Sequence, residues 1–275
     1  MPAAPSTRPS AVAGMFYPGD PAQLRRDIAK MLAPIATDSS AARPQRPPKV
    51  LIVPHAGYVY SGPIAAHAYG LLAPFAAQIR RVVLLGPTHR VAVHGLAIPT
   101  VAYFETPLGR VALDVEALAR LAELPHVVRS DAAHAMEHSL EVQLPFLQSV
   151  LQDFHLLPLA VGDVAPTDVA AVIENVWGGD ETVILISSDL SHYHPYNDAR
   201  RIDADTVERI LALQTNIRHE QACGATPING AVVAARHHGL QPRLLDLRNS
   251  GDTAGDRHHV VGYAAIAFEA GHVIH

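Results

Sequence analysis

The sequence predicts an α/β domain built on a central mixed, largely parallel sheet flanked by helices. Three observations carry that prediction. First, short β-branched runs at residues 50–53, 82–85 and 182–186 are continuously apolar and stop at Pro, Gly or Ser. Such runs fit strands buried on both faces, as in parallel sheets. Second, helical patterns alternate with these runs. Third, 49% of the 275 residues are hydrophobic and 17% are charged. That is ample material for one large core and too little charge for a disordered chain.

The elements follow in order. Residues 1–12, with Pro2, Pro5 and Pro9, read as a loose N-terminal arm, and residues 13–275 as a single domain. Pro21 can open a helix over about 22–32, and the Pro-, Ala- and Ser-rich stretch 33–48 reads as a surface loop. The strand at 50–53 leads through Ser61, Gly62 and Pro63 to a helix over 64–72. Residues 96–101 and 111–113 flank a turn signal at Thr106, Pro107, Leu108 and Gly109, which predicts an antiparallel pair. Asp114 is a plausible N-cap within a helical stretch at 112–124, and Thr167 another for a helix over 169–177 that Gly178 and Gly179 stop. A charged amphipathic helix spans 198–213. A helix over 228–238 ends at Gly239, and a last strand covers 260–268. No internal repeat or low-complexity segment interrupts this order.

Charge and composition exclude several classes. The net charge is −5, from 21 Lys and Arg against 26 Asp and Glu. No block of basic residues stands out, so no nucleic-acid partner is expected. No apolar run is long enough for a transmembrane helix, so no membrane partner is expected. The N-terminus lacks a charged segment followed by an apolar one, so export is not expected. One cysteine, Cys223, excludes an intrachain disulfide and fits a reducing cytosol, so the expected location is cytoplasmic. The 17 His direct attention to metal binding and proton transfer.

Some of those histidines fall at strand ends, while His258, His259, His272 and His275 show no such spacing. The three buried-strand candidates each run into a His or an acid: His55, His89, and Asp189 with His192. In open α/β sheets, ligands bind beyond the carboxyl ends of parallel strands. Neighbouring strands would therefore gather these side chains in one cleft. Two neutral imidazoles and an anionic third donor suit a transition metal with open positions. The bland alternative, that strand-end histidines only bond loop backbone, weakens when three strand ends agree. Cys223 just precedes a helix, whose N-terminus would favour the thiolate; a buried inert cysteine is the other reading. His134, Glu137 and His138 match the H-x-x-E-H zinc-peptidase pattern. That pattern needs one continuous helix, whereas Ser139 and Pro145 favour a helix beginning after His138. His138 and Glu141 are candidates for the cleft wall, and Tyr58 and Tyr60 for phenol hydrogen bonds or packing.

Longer motifs carry a resemblance. Ala13-Gly14-Met15-Phe16-Tyr17-Pro18, Pro54-His55-Ala56-Gly57-Tyr58-Val59-Tyr60-Ser61-Gly62, Leu85-Gly86-Pro87-Thr88-His89, Glu137-His138-Ser139-Leu140-Glu141-Val142-Gln143-Leu144-Pro145-Phe146, Ser187-Ser188-Asp189-Leu190-Ser191-His192 and Cys223-Gly224 resemble the Memo-like family. Its bacterial and archaeal members are called AmmeMemoRadiSam system protein B. The resemblance implies a fold like the class III extradiol dioxygenases. It also implies a metal site with His55, His89 and Cys223 as ligands, Cys223 standing where the ring-cleaving enzymes carry glutamate. His192 matches their catalytic base, with Asp189 beside it. Metal-dependent redox activity with copper or iron is attributed to the animal relative, which also binds phosphotyrosine peptides. The bacterial name implies a radical S-adenosylmethionine protein as partner.

A thiolate is softer than a carboxylate and oxidisable, so the likeness does not license catechol cleavage. Two arrangements stay open. Cys223 is the third ligand with Asp189 orienting His192, or Asp189 ligates with Cys223 nearby. The expectation is a metal-dependent redox protein of unassigned substrate, using iron(II) or copper in preference to zinc, with His192 as acid–base. The alternative is a non-catalytic peptide- or partner-binding module that keeps the pocket.

Overall fold

The centre of the molecule is a block of strands with almost no exposed residue. The computed structural model describes residues 6–37 and 45–271. In chain order the strands are Thr7–Arg8 (β1), Val50–Val53 (β2), Arg81–Pro87 (β3), Leu96–Ile98 (β4), Tyr103–Thr106 (β5), Gly109–Ala112 (β6), Val127–Arg129 (β7), His155–Val161 (β8), Thr182–Ser187 (β9), His192–His194 (β10), Leu240–Asn249 (β11) and Val260–Ala270 (β12). The main sheet runs β10-β12-β2-β9-β3-β8-β4-β7, with β11 also on β12, and β1-β5-β6 form a small second sheet. β2, β9, β3 and β8 are mutually parallel neighbours. β12 runs antiparallel to β2, and β4 to β8. This is the mixed, centrally parallel α/β domain that the apolar runs predict.

Register places the site. Val53 pairs with Ser187 and Leu85 with Ile186, so β2, β9 and β3 end side by side with β9 in the middle. The helix Tyr58–Gly70 leaves that edge and packs on β2, β11 and β12. The helix Ala225–His237 packs on β2, β9 and β3 and against Pro166–Asn175. Among the described residues, no helix is long and apolar enough to cross a membrane.

Several local readings hold. Asp114 caps the helix Val115–Leu121 by accepting from Ala117 N. Gly239, at φ +63°, follows the helix ending at His237, a left-handed position that suits glycine. Others need correction. The predicted loose arm is fastened from residue 6 onward: β1 pairs with β5, and Arg8 is buried in an ion pair with Glu141. Residues 1–5 lie outside the described residues. The first helix runs Pro21–Thr37, past the expected stop, because Met31, Leu32 and Ile35 pack on the core. The rest of the predicted 33–48 loop falls partly on 38–44, outside the described residues. The turn at 106–109 joins β5 to β6, not 96–101 to 111–113; β4 instead joins the main sheet. The helix expected from a Thr167 cap begins at Pro166 with no side-chain cap, proline serving at its first position.

Candidate metal centre

The three strand ends bring His55 and His89 together, and the segment 137–143 closes over them. His55 follows β2 by two residues and is buried, and His89 follows β3 by two. Gly86 lets the neighbouring turn approach: a Cβ there would lie 2.9 Å from both Ser139 Oγ and Leu140 Cδ2. His138 opens the short helix His138–Glu141. Its ring sits 5.4 Å from His55 and 4.6 Å from His89, and His55 and His89 are 5.3 Å apart, centroid to centroid. One nitrogen from each of His55, His89 and His138 lies within 4.8 Å of the others, a group able to hold a metal ion.

Each ring is oriented from behind. Glu137 is 1% exposed and takes His89 Nδ1 at 2.8 Å, His89 N at 2.6 Å and Ser139 N at 2.9 Å. Burial pushes this carboxyl upward, but the hydrogen bonds from His89 and Ser139 outweigh it and hold it at about 2. An ionised carboxylate only accepts, so His89 Nδ1 carries a proton toward Glu137. His55 Nδ1 meets Ser187 Oγ at 2.9 Å. Burial, with the neighbouring His89, lowers His55 to about 3. Burial, with His55, lowers His138 to about 4. Both are therefore neutral near pH 7, the state a metal requires.

Cys223 joins from the far side. Its Sγ lies 3.3 Å from His55 Nε2 and 3.7 Å from the Asp189 carbonyl. Gly224 permits this, since a Cβ there would meet Ser188 Cβ at 2.7 Å. The expected thiolate bias is reversed in the metal-free chain. Burial, then the charge of Asp189, pushes the thiol up to about 12, which outweighs the helix N-terminus.

His55, His89 and His138 form a possible metal-binding group that does not include Cys223, which of the three lies near His55 alone. Metal–nitrogen and metal–sulfur bonds of about 2.1 and about 2.3 Å span at most about 4.4 Å between donors. The 3.3 Å between sulfur and Nε2 falls inside that reach. Imidazole suits zinc, copper, iron and nickel, and sulfur adds softness.

Asp189 is buried and accepts from His55 N at 2.7 Å. Burial raises its carboxyl, and its charge is felt by His192 and His138. It thus places the His55 backbone. His192 is half-buried at the start of β10. The next residue, Tyr193, holds φ +61°, a strained conformation for a non-glycine residue.

Two wall candidates point elsewhere. Glu141, fully buried, accepts from Arg8 Nη1 at 2.7 Å, Ala11 N at 2.7 Å, Val12 N at 3.0 Å and Tyr17 OH at 2.6 Å. Tyr58 gives its hydroxyl to the Val142 carbonyl and packs on Phe146. Both brace the wall from behind. The fastened N-terminal segment carries Phe16, whose ring lies 4.7 Å from His138. Beside it a cavity of about 520 Å³ is lined by Met15, Phe16, Met31, Tyr58, Val59 and Pro63, among others.

The peptidase spacing fails in space. The chain is extended at Glu137 between two short helices, and His134 turns away to the Ala97 carbonyl at 2.9 Å. Glu137 and Ser187 hold the His89 and His55 rings and Gln143 holds Ser187, roles that the sequence reading did not assign to them.

The chain is similar to known proteins along nearly its whole length. The family model described as "Memo-like protein" matches residues 8–267. A MEMO1 family protein of Methanopyrus kandleri is 38% identical, covering 96% of this chain and 99% of its own. One of Sulfolobus acidocaldarius is 35% identical over 94% and 98%. One of Ignicoccus hospitalis is 37% identical over 95% and 98%. Among solved structures, an uncharacterized protein from Escherichia coli K12 matches with a TM-score of 0.52 at 12% identity, covering 79% of this chain and 98% of that one. That last likeness concerns the fold alone.

Proposed function

Because the chain belongs to the Memo-like family, we propose that it is a metal-dependent redox protein working at the end of β2, β9 and β3. The observation that carries this reading is the convergence of His55, His89 and His138 within 4.8 Å, with Cys223 Sγ 3.3 Å from His55 Nε2. In the proposed centre His55, His89 and Cys223 hold the ion, and His138 faces the remaining positions. The nitrogen and sulfur donors suit iron(II), copper and zinc alike; iron(II) or copper is preferred here because the proposed chemistry needs a metal that changes oxidation state. The metal, when bound, supplies the electron-transfer and Lewis-acid chemistry.

The chain's own residues supply the rest. His55 and His89 present ring nitrogens held in place through Ser187 and Glu137. Asp189 places the His55 backbone and adds negative charge behind the site. His192, half-buried, takes up or releases a substrate proton at an imidazole nitrogen, the task its chemistry suits. The partly exposed side of His89 leaves the centre open to substrate.

The test is anaerobic purification with elemental analysis of wild type, His55→Ala, His138→Ala and Cys223→Ser. Stoichiometric iron or copper, lost with His55→Ala and Cys223→Ser and retained in part by His138→Ala, is the expected result. Loss with His138→Ala and retention with Cys223→Ser would move the third ligand to His138. Metal content indifferent to His55→Ala would end the proposal. Metal-loaded wild type should consume oxygen with a suitable donor, and His192→Ala should not.

A second reading rests on the apolar cavity beside Phe16 and on the exposure of Met15 and Val59, 71% and 64%. A binding module would use that surface for a partner peptide. It is favoured if the metal-loaded protein shows no oxygen consumption and Met15→Asp abolishes capture of a partner that His192→Ala still binds.

A further inference from the structure

Which nitrogen of His55 carries its proton is decided by a chain of donors behind the ring. Tyr69, fully buried, gives its hydroxyl to Gln143 Oε1 at 2.6 Å. The Gln143 amide nitrogen faces the Pro54 carbonyl at 3.0 Å and Ser187 Oγ at 2.8 Å. A carbonyl only accepts, so the amide cannot be turned over, and both its hydrogens are committed. Ser187 Oγ also stands 2.6 Å from the Ser139 carbonyl. Two oxygens so close need a hydrogen between them, and the single Ser187 hydrogen is the one available.

The hydroxyl is then fully assigned. Its hydrogen goes to Ser139 O, and one lone pair takes the Gln143 N–H. The second lone pair faces His55 Nδ1 at 2.9 Å. Nothing remains on Ser187 to donate, so His55 Nδ1 must. We infer that Ser187, locked by Gln143 and Ser139, is a positioning residue that fixes His55 as the Nδ1–H tautomer and turns the Nε2 lone pair toward Cys223 and the histidine cluster.

Ser139 couples this lock to the second histidine. Its Oγ donates to the Pro87 carbonyl at 2.9 Å, and its N–H goes to Glu137, the carboxylate that holds His89. The donors all point one way, from Tyr69 to Gln143 to Ser187 to Ser139, an arrangement in which each bond polarises the next. The segment 137–143 thus sets both imidazoles at once. The inference concerns the metal-free chain, and its use in ligation rests on the metal-centre reading above.

The experiment is a long-range proton–nitrogen correlation on metal-free, nitrogen-15-labelled protein near pH 7, with zinc(II) titrated in parallel. Wild type should show His55 with a protonated Nδ1 and a bare Nε2. Ser187→Ala should give mixed tautomers and about 10–100-fold weaker zinc binding, the usual effect of removing a group that orients a metal-binding histidine. Ser187→Thr, which keeps the hydroxyl, should restore both. Should the alanine variant not fold, Ser187→Cys, close in size and a weak acceptor, should still mix the tautomers. A wild-type ring protonated on Nε2 overturns the inference, as does Ser187→Ala, or Ser187→Cys in its place, with unchanged tautomer and zinc affinity. If wild type binds no zinc, the metal reading loses support while the tautomer signals still decide this inference.

Discussion

At the residue scale, Glu137 is the side chain on which most geometry depends. Its two oxygens serve His89 Nδ1, His89 N and Ser139 N, and its Oε1 lies 3.5 Å from His138 Nδ1. Glutamine has one acceptor oxygen where glutamate has two. Glu137→Gln must therefore aim an NH₂ at a donor and free His89 to turn. We predict about 10–100-fold weaker metal binding and a loss of about 1–3 kcal/mol, measured by zinc titration and urea unfolding. Unchanged affinity would mean that His89 is held by other contacts. His55, His89 and Asp189 were legible because apolar runs announce strand ends. Glu137 was hidden by its own spacing, since H-x-x-E-H draws the eye to a helix that breaks at Glu137. Ser187 reads as strand-end punctuation, and only register sets it against His55.

At the element scale, the N-terminal segment is part of the wall. Glu141 draws Arg8, Ala11, Val12 and Tyr17 onto the helix turn that carries His138. Arg8→Ala leaves a buried carboxylate without its cation, which costs about 3–5 kcal/mol. Urea unfolding checks this, and a loss under 1 kcal/mol would show the backbone N–H donors to suffice. The proline-rich opening concealed this, because a run of prolines looks loose until its single arginine finds a buried partner. β8 escaped notice for a similar reason. Pro158 sits within its apolar run, and proline argues against a central strand, yet burial of the whole run decides.

A second element-scale prediction concerns Asp203, buried on the helix Tyr196–Leu211 and accepting from Ser191 N at 3.0 Å. Burial raises it to about 6, above its unfolded value of about 3.9. A raised carboxyl contributes stability below the unfolded pKa and loses it as pH rises through the folded one. At pH 8 Asp203 is therefore a buried charge with no salt bridge among the described residues. Asp203→Asn keeps an acceptor for Ser191 and removes the charge. It should stabilise by about 1–3 kcal/mol at pH 8 and by little at pH 4. Equal effects at both pH values would refute the assignment.

At the scale of the whole molecule, buried histidines set the response to acid. Burial lowers His55 to about 3, and His134 and His138 to about 4, while in the unfolded chain each titrates near about 6.5. The unfolded state therefore binds more protons than the folded one below that value, and stability falls as pH drops from about 6.5 toward 3. Glu137, held at about 2, adds to the loss only below about 4.3. Asp203 opposes it between about 6 and 3.9, one site against three. At pH 5 each histidine costs about 2 kcal/mol by this linkage. The metal-free protein should unfold at clearly lower urea at pH 5 than at pH 7.5, and an unchanged or higher midpoint would refute the buried-neutral assignment. His134 separates acid sensitivity from ligation, because it bonds the Ala97 carbonyl away from the cluster. His134→Gln can keep that bond. It should remove about a third of the pH dependence and leave metal uptake intact, whereas His55→Ala should change both.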